Sequence, residues 1–154
     1  HTRLPGDWSS DVCSSDLISE VNATLLNTLL EAGMTPVVAP IAMGDEYERL
    51  NVDGDLVAAN IAHAIGADAL VILSNVPGLM RDLNDPTSLV TGFALSEYER
   101  YEALAGGRMK KKMMAAQVAQ VARTILADSR VENPLDAALA GGGTQITRDA
   151  IGVI

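Results

Sequence analysis

Two aspartates and a run of cations are the residues best suited to chemistry in this 154-residue chain. Asn51-Val52-Asp53-Gly54-Asp55 sets two acids two places apart, just ahead of an apolar-periodic segment. Carboxylates at a helix start are favoured in their ionised form by the helix dipole, and there they can hold cations or orient lysines. The same residues also read as a turn followed by a capped helix. A calcium loop is a poor alternative, because the twelfth position counted from Asp53 is Ala64, where such a loop needs Glu. Gly106-Gly107-Arg108-Met109-Lys110-Lys111-Lys112 puts four cations within five residues at a second helix start. They oppose the dipole there, at about 0.3–1 kcal/mol per exposed charge. An anionic ligand would offset that cost, since free N–H groups at a helix start bind phosphate. A solvated basic face is the other reading. The third segment, Ser74-Asn75-Val76-Pro77-Gly78-Leu79, follows a short apolar strand. Open α/β sheets bind ligands at the carboxyl ends of their strands. An ordinary strand-to-loop turn would look the same. Together the three segments suggest a nucleotide site better than any one does.

The elements that must position them alternate between helical and strand patterns, which predicts an α/β layer fold with a mostly parallel sheet. Val21, Leu25, Leu26, Leu29 and Leu30 recur at helical spacing, and Gly33 stops that helix. Pro36–Ile41 reads as a buried strand and residues 43–54 as a loop. Asp55 is expected to cap a helix whose apolar face is Val57, Ile61, Ala64 and Ile65, ending at Gly66. Ala69–Leu73 is the clearest strand. Residues 81–88 form a polar loop, and Leu89–Thr91 a short strand. Ser96 and Glu99 form a capping box for an acidic helix over 97–104. A basic-fronted helix runs from about Met109 to Val121, followed by a strand at Thr124–Ala127. Asn133-Pro134 starts a last helix, with Asn as its cap. Gly141-Gly142-Gly143 ends it ahead of a final strand near Thr144–Thr147.

Residues 1–17, HTRLPGDWSSDVCSSDL, stand apart. They hold the chain's only Trp and only Cys and show neither periodicity. They resemble the translation of a short-read sequencing adapter, and are expected to be foreign and disordered, with natural sequence beginning near Ile18. Setting aside Arg3, Asp7, Asp11 and Asp16 leaves 10 basic and 17 acidic side chains, a net charge of −7. An acidic chain poor in Lys and Arg argues against a nucleic-acid binder. No apolar run approaches eighteen residues, so no membrane helix is expected. With Cys13 discounted, no cysteine remains for a disulfide or a zinc site. His63 alone remains of the histidines, on a predicted helix, where packing or surface is its expected role. A cytoplasmic setting is the default expectation.

The order and spacing of N-V-D-G-D, the strand with S-N-V-P-G-L, G-R-M-K-K-K-x-x-A-A and A-D-S-R-V-E-N-P-L resemble the amino-acid kinase family. Within it they are similar to acetylglutamate kinases and to the kinases of aminoadipate bound to an amino-group carrier protein. The resemblance runs from about Ile18 to Thr147. It implies a three-layer αβα sandwich of which residues 18–154 are the carboxyl-terminal part, and transfer of ATP's γ-phosphate to a side-chain carboxylate, giving an acyl phosphate. Asp55 then matches the aspartate that organises two catalytic lysines, and Lys112 one of that pair. Asn51 matches a contact to the substrate's polar end, with Asp53 beside it. Ser74, Asn75, Val76, Gly78 and Leu79 match the loop lining the adenine and ribose pocket, with Met109 near the nucleotide. Mg2+ would bridge the ATP phosphates, and a homodimer is implied.

Departures from the family pattern narrow the substrate. Acetylglutamate kinases usually carry N-V-N-A-D and G-G-M-x-x-K, so this chain's versions look more like the carrier-protein kinases. Many members also have Asp where Asn75 stands. Arg108, Lys110 and Lys111 would then draw an acidic carrier and raise its encounter rate. The family's glycine-rich phosphate loop, second lysine and substrate arginine are expected in an amino-terminal part outside these residues, so the chain by itself is expected to be inactive. Alternative readings are an acetylglutamate kinase, a regulatory nucleotide-binding domain without catalysis, a kinase of this fold acting on UMP, carbamate or aspartate, and an unrelated doubly wound domain. The last predicts Asp55 and Lys112 far apart.

Overall fold

The computed structural model of the chain describes residues 18–148, so the expectation for residues 1–17 lies outside the described part. The sheet has four strands in the order β3-β5-β6-β4: β3 (Ala69–Ser74), β5 (Arg123–Asp128), β6 (Thr144–Thr147) and β4 (Gly92–Ala94). β3 pairs with β5 and β6 with β4 in parallel, while β5 and β6 run antiparallel. Side-chain alternation splits the sheet's residues between two cores. Leu70, Ile72, Leu126 and Ile146 face helices α2 (Gly54–Ile65) and α4 (Gly107–Ala119). Ile125, Ala127 and partly buried Val71 face Ala138 of α5 (Pro134–Leu139). This is the expected α/β three-layer arrangement.

Short connections fix the direction of each helix. Only residues 66–68 separate α2 from β3, and only 120–122 separate α4 from β5. Each helix must therefore run back along the strand that follows it. The turns need left-handed backbone, supplied by Gly66 (φ 66°) and, less comfortably, by Gln120 (φ 49°). Gly143, at φ 78°, lies so close to β5 that a β-carbon would collide with the Leu126 carbonyl and with Ala127.

Several local expectations are corrected. Residues 36–40 form no strand, and Val37 is 96% exposed. Pro36 and Pro40 lack donors, and no described strand lies alongside. The 43–54 loop instead contains half of a hairpin, in which β1 (Ile41–Met43) pairs antiparallel with β2 (Arg49–Asn51). The short strand lies at Gly92–Ala94, while Leu89 makes a single bridge to Met80. The Ser96–Glu99 capping box does not form. Ser96 sits inside a 3-10 turn, Leu95–Glu97, that leads directly into α3 (Tyr98–Glu102). Asn133 precedes α5 in a left-handed conformation without a side-chain cap. Gly33 does end α1 (Ala23–Glu31) as expected, yet α1 buries no side chain fully, and Leu25 and Leu30 stay largely exposed.

Candidate functional site

The site grows from the seam between α2 and α4. Ala59 and Ala62 of α2 meet Ala115, Ala116 and Ala119 of α4, all buried. Side chains this small let the two helix backbones approach closely. Asp55 meets Lys112 and, two turns later, the carbonyl of Ala119 meets His63 Nδ1 at 3.3 Å. The helices therefore run side by side in the same direction. Both amino termini lie at the end of the sheet where β3 and β5 finish, which is where ligands collect in such folds.

Asp53, rather than Asp55, caps α2. Its Oδ1 accepts the N–H groups of Asp55 and Leu56 at 3.0 and 3.3 Å. The buried face of α2 is Leu56, Ala59 and Ala62, not the one the apolar spacing suggested. Asp55 is thereby free to turn toward α4, where Lys112 Nζ donates to both carboxylate oxygens, at 2.9 and 3.2 Å. The pair is largely sheltered, with side-chain exposures of 26% for Asp55 and 17% for Lys112. Lys111 makes a looser second rung, 3.5 Å from Asp53. Two carboxylates at the positive end of α2 are thus matched by two lysines of α4, a pairing that offsets the opposition of those lysines to their own helix dipole. No side chain caps α4 at Gly106, and Arg108 and Lys110 stand exposed there. An uncapped, cation-fronted helix start beside a sheltered ammonium is suited to a polyanion.

The loop after β3 is anchored at both ends. Ser129 N–H donates to the Ser74 carbonyl at 2.7 Å, and Val76 N–H to Ser74 Oγ at 3.4 Å. Asn75 is exposed and Val76 partly so, while Gly78 and Leu79 are buried. The Leu79 side chain belongs to the core and its N–H is taken by Thr144, so ligand contact from this loop falls to Ser74, Asn75 and Val76. Met109 is half-buried against the same core. Asn51 is exposed at the end of β2, opposite Ile41, two residues before the α2 cap.

The A-D-S-R segment takes its place at the same edge. Asp128 ends β5 opposite Ser74. Its carboxylate accepts Arg130 Nε at 2.9 Å and Nη2 at 2.7 Å, together with the Arg130 N–H. The Arg130 hydrogen bonds lower the Asp128 pKa from 3.8 to about 2. A depressed folded-state pKa adds stability above the unfolded value, lost as pH falls from near 3.8 through about 2. Arg130→Gln is expected to raise the Asp128 pKa toward 3.8, read by carboxyl-carbon NMR titration. An unchanged midpoint near 2 would remove Arg130 as the cause.

Two recesses lie beside α2, the first reaching Gly54 at its start. One of about 370 Å³ is lined by Pro36, Val38, Val57, Ile61 and Ile65 among others. The other, of about 1170 Å³, lies between α1 and the β1–β2 hairpin. Neither contains Asp55 or Lys112. The first has no charged lining and the second only Glu20, Asp45, Glu46 and Glu48, so neither suits a phosphate chain.

An α/β sandwich with paired helix starts at its strand ends defines a class of phosphate-handling folds. The model of the Amino acid kinase family matches residues 4–125, and the chain belongs to that family. The match begins inside the segment that resembles an adapter. A [LysW]-aminoadipate kinase of Thermus thermophilus is 48% identical over 134 residues, covering 84% of this chain and 50% of that protein. An acetylglutamate kinase of Syntrophomonas wolfei is 37% identical over 136 residues, covering 85% and 47%. The chain thus spans about half the length of these curated relatives. Among solved structures, carbamate kinase from Giardia lamblia bound to AMP-PNP superposes with a TM-score of 0.60 at 22% identity, covering 84% of this chain and 45% of that one. N-acetylglutamate synthase from Neisseria gonorrhoeae reaches 0.77, also at 22%, over 87% and 32%. At such identities the likeness is one of fold.

Proposed function

We propose that the protein transfers the γ-phosphate of ATP to a side-chain carboxylate, most closely that of 2-aminoadipate or glutamate carried on an acidic amino-group carrier protein. The observation that carries this reading is the bidentate Asp55–Lys112 pair beside the uncapped start of α4. Lys112 stabilises charge on the phosphoryl group in transit, the main lever available in such transfers. Asp55 fixes the ammonium in place. Ser74, Asn75 and Val76 line the base and ribose side, with Met109 nearby, and Asn51 and Asp53 border the acceptor. A carboxylate acceptor is already ionised at neutral pH, so no strong base is needed.

Magnesium would arrive on the nucleotide's phosphates and neutralise part of their charge. That fits the residues present, because the described part offers a cationic helix start for the phosphates that would carry it. A cytoplasmic homodimer is the proposed setting. No helix among the described residues is long and apolar enough to cross a membrane. Residues 1–154 taken alone are expected not to turn over.

The relatives named [LysW]-aminoadipate kinase support the carrier-linked substrate, and the one named acetylglutamate kinase keeps acetylglutamate as the second reading. Arg108 and Lys110 form no ion pair in the described part and are the docking cations of this reading, whereas Lys111 is shared with Asp53. The test compares carrier-linked aminoadipate with acetylglutamate in the full-length protein, at low and high salt. Carrier-linked substrate should be preferred, and Arg108→Gln with Lys110→Gln should lower its kcat/KM about tenfold at low salt. Equal rates for variant and parent at low salt would end the docking proposal. Preference for acetylglutamate would select the second reading.

A further inference from the structure

We infer that Thr144 is a positioning residue that sets nucleotide affinity by fixing the far end of the loop after β3. Its side chain is fully buried at the start of β6. The hydroxyl has one proton to give and lone pairs to receive, and both capacities are used. Oγ1 donates to the Val90 carbonyl at 2.6 Å and accepts the Leu79 N–H at 2.8 Å. Val90 N–H in turn donates to the Leu79 carbonyl at 2.8 Å, so three distant segments close on one oxygen. Gly78 packs directly on the same group. A β-carbon there would lie 2.5 Å from Thr144 Oγ1 and 3.0 Å from its backbone nitrogen, at a φ of 154° suited to glycine.

The loop is consequently strung between two fixed points, Ser74 held by Ser129 and Leu79 held by Thr144, with Asn75, Val76, Pro77 and Gly78 between them. Thr144 itself is screened from any ligand. Its influence must pass through the loop, and so falls on binding rather than on the transfer step, which belongs to Lys112. This rests on the proposal that residues 74–76 face the nucleotide.

Removing the hydroxyl leaves a buried N–H and a buried carbonyl without their partner. In the full-length protein, Thr144→Val is expected to raise KM for ATP about tenfold with kcat within about twofold. Thr144→Ser, which keeps the hydroxyl, should stay within about twofold of the parent in both. Gly78→Ala, pressing on the same oxygen, should also raise KM, and it decides the matter if Thr144→Val does not fold. Hydrogen exchange at the Leu79 amide gives a readout independent of nucleotide, and should quicken in Thr144→Val but not in Thr144→Ser. Faster exchange with an unchanged KM for ATP would overturn the positioning role. So would a Thr144→Ser variant as impaired as Thr144→Val. A parent with no ATP-dependent turnover at all would instead sink the kinase reading, leaving the exchange result to judge the anchor.

Discussion

Lys112→Ala in the full-length protein is expected to lower kcat about a hundred- to a thousandfold while changing ATP affinity by less than about fivefold. The ammonium is held by both oxygens of Asp55 and is only 17% exposed, so on the proposed reading it would be fixed in advance where charge develops. A preorganised donor of that kind lowers the barrier without reorganising during the reaction. Asp55→Ala should cost about as much, because it frees the lysine and leaves a sheltered charge unmatched. The double variant should be little worse than either single one, since the two act as a unit. Rapid-quench turnover together with equilibrium ATP binding measures both effects. Losses that add across the double variant would show that the two residues act separately.

Gly143→Ala should destabilise the fold by about 3 kcal/mol or more, through backbone strain and collision together. The position needs φ of 78°, and the added carbon would meet the Leu126 carbonyl and Ala127, which are rigid parts of the central strand β5. Gly141→Ala, at φ 107° but with open space around its β-carbon, isolates the conformational cost alone and should be milder. Urea unfolding of the two variants gives the comparison. Equal losses would mean that the contact with β5 contributes nothing.

The strands β3 and β5 were legible because short apolar runs ended by Gly or polar residues leave few alternatives, and β6 from its place after the glycines that end α5. Residues 36–40 carried the same composition and misled, because a strand also needs a neighbour and donors, which two prolines and an open edge do not supply. Cap assignments failed at Asp55, Ser96 and Asn133, the first because two candidates stood close together. Spacing cannot say which of Asp53 and Asp55 folds back on its own helix, since the partner that the other one meets is a lysine 57 residues away. Meeting of Asp55 with Lys112 was expected from family resemblance, and helix direction explains it. Thr144 left no trace in the sequence, where a threonine after three glycines looks like any strand start. Only the closure of Leu79 and Val90 upon it reveals the role. Lys111 looked like a free surface cation until Asp53 appeared opposite.

The seam of alanines bears on motion. Where the two helices meet through alanines, sliding one past the other would open voids along that stretch and pull apart the Asp55–Lys112 and Asp53–Lys111 pairs. α2 and α4 should therefore travel as one rigid body through a reaction cycle. On the proposed kinase reading, closure over a nucleotide would have to be made by something that approaches this body, with the carboxylate–ammonium spacing unchanged throughout.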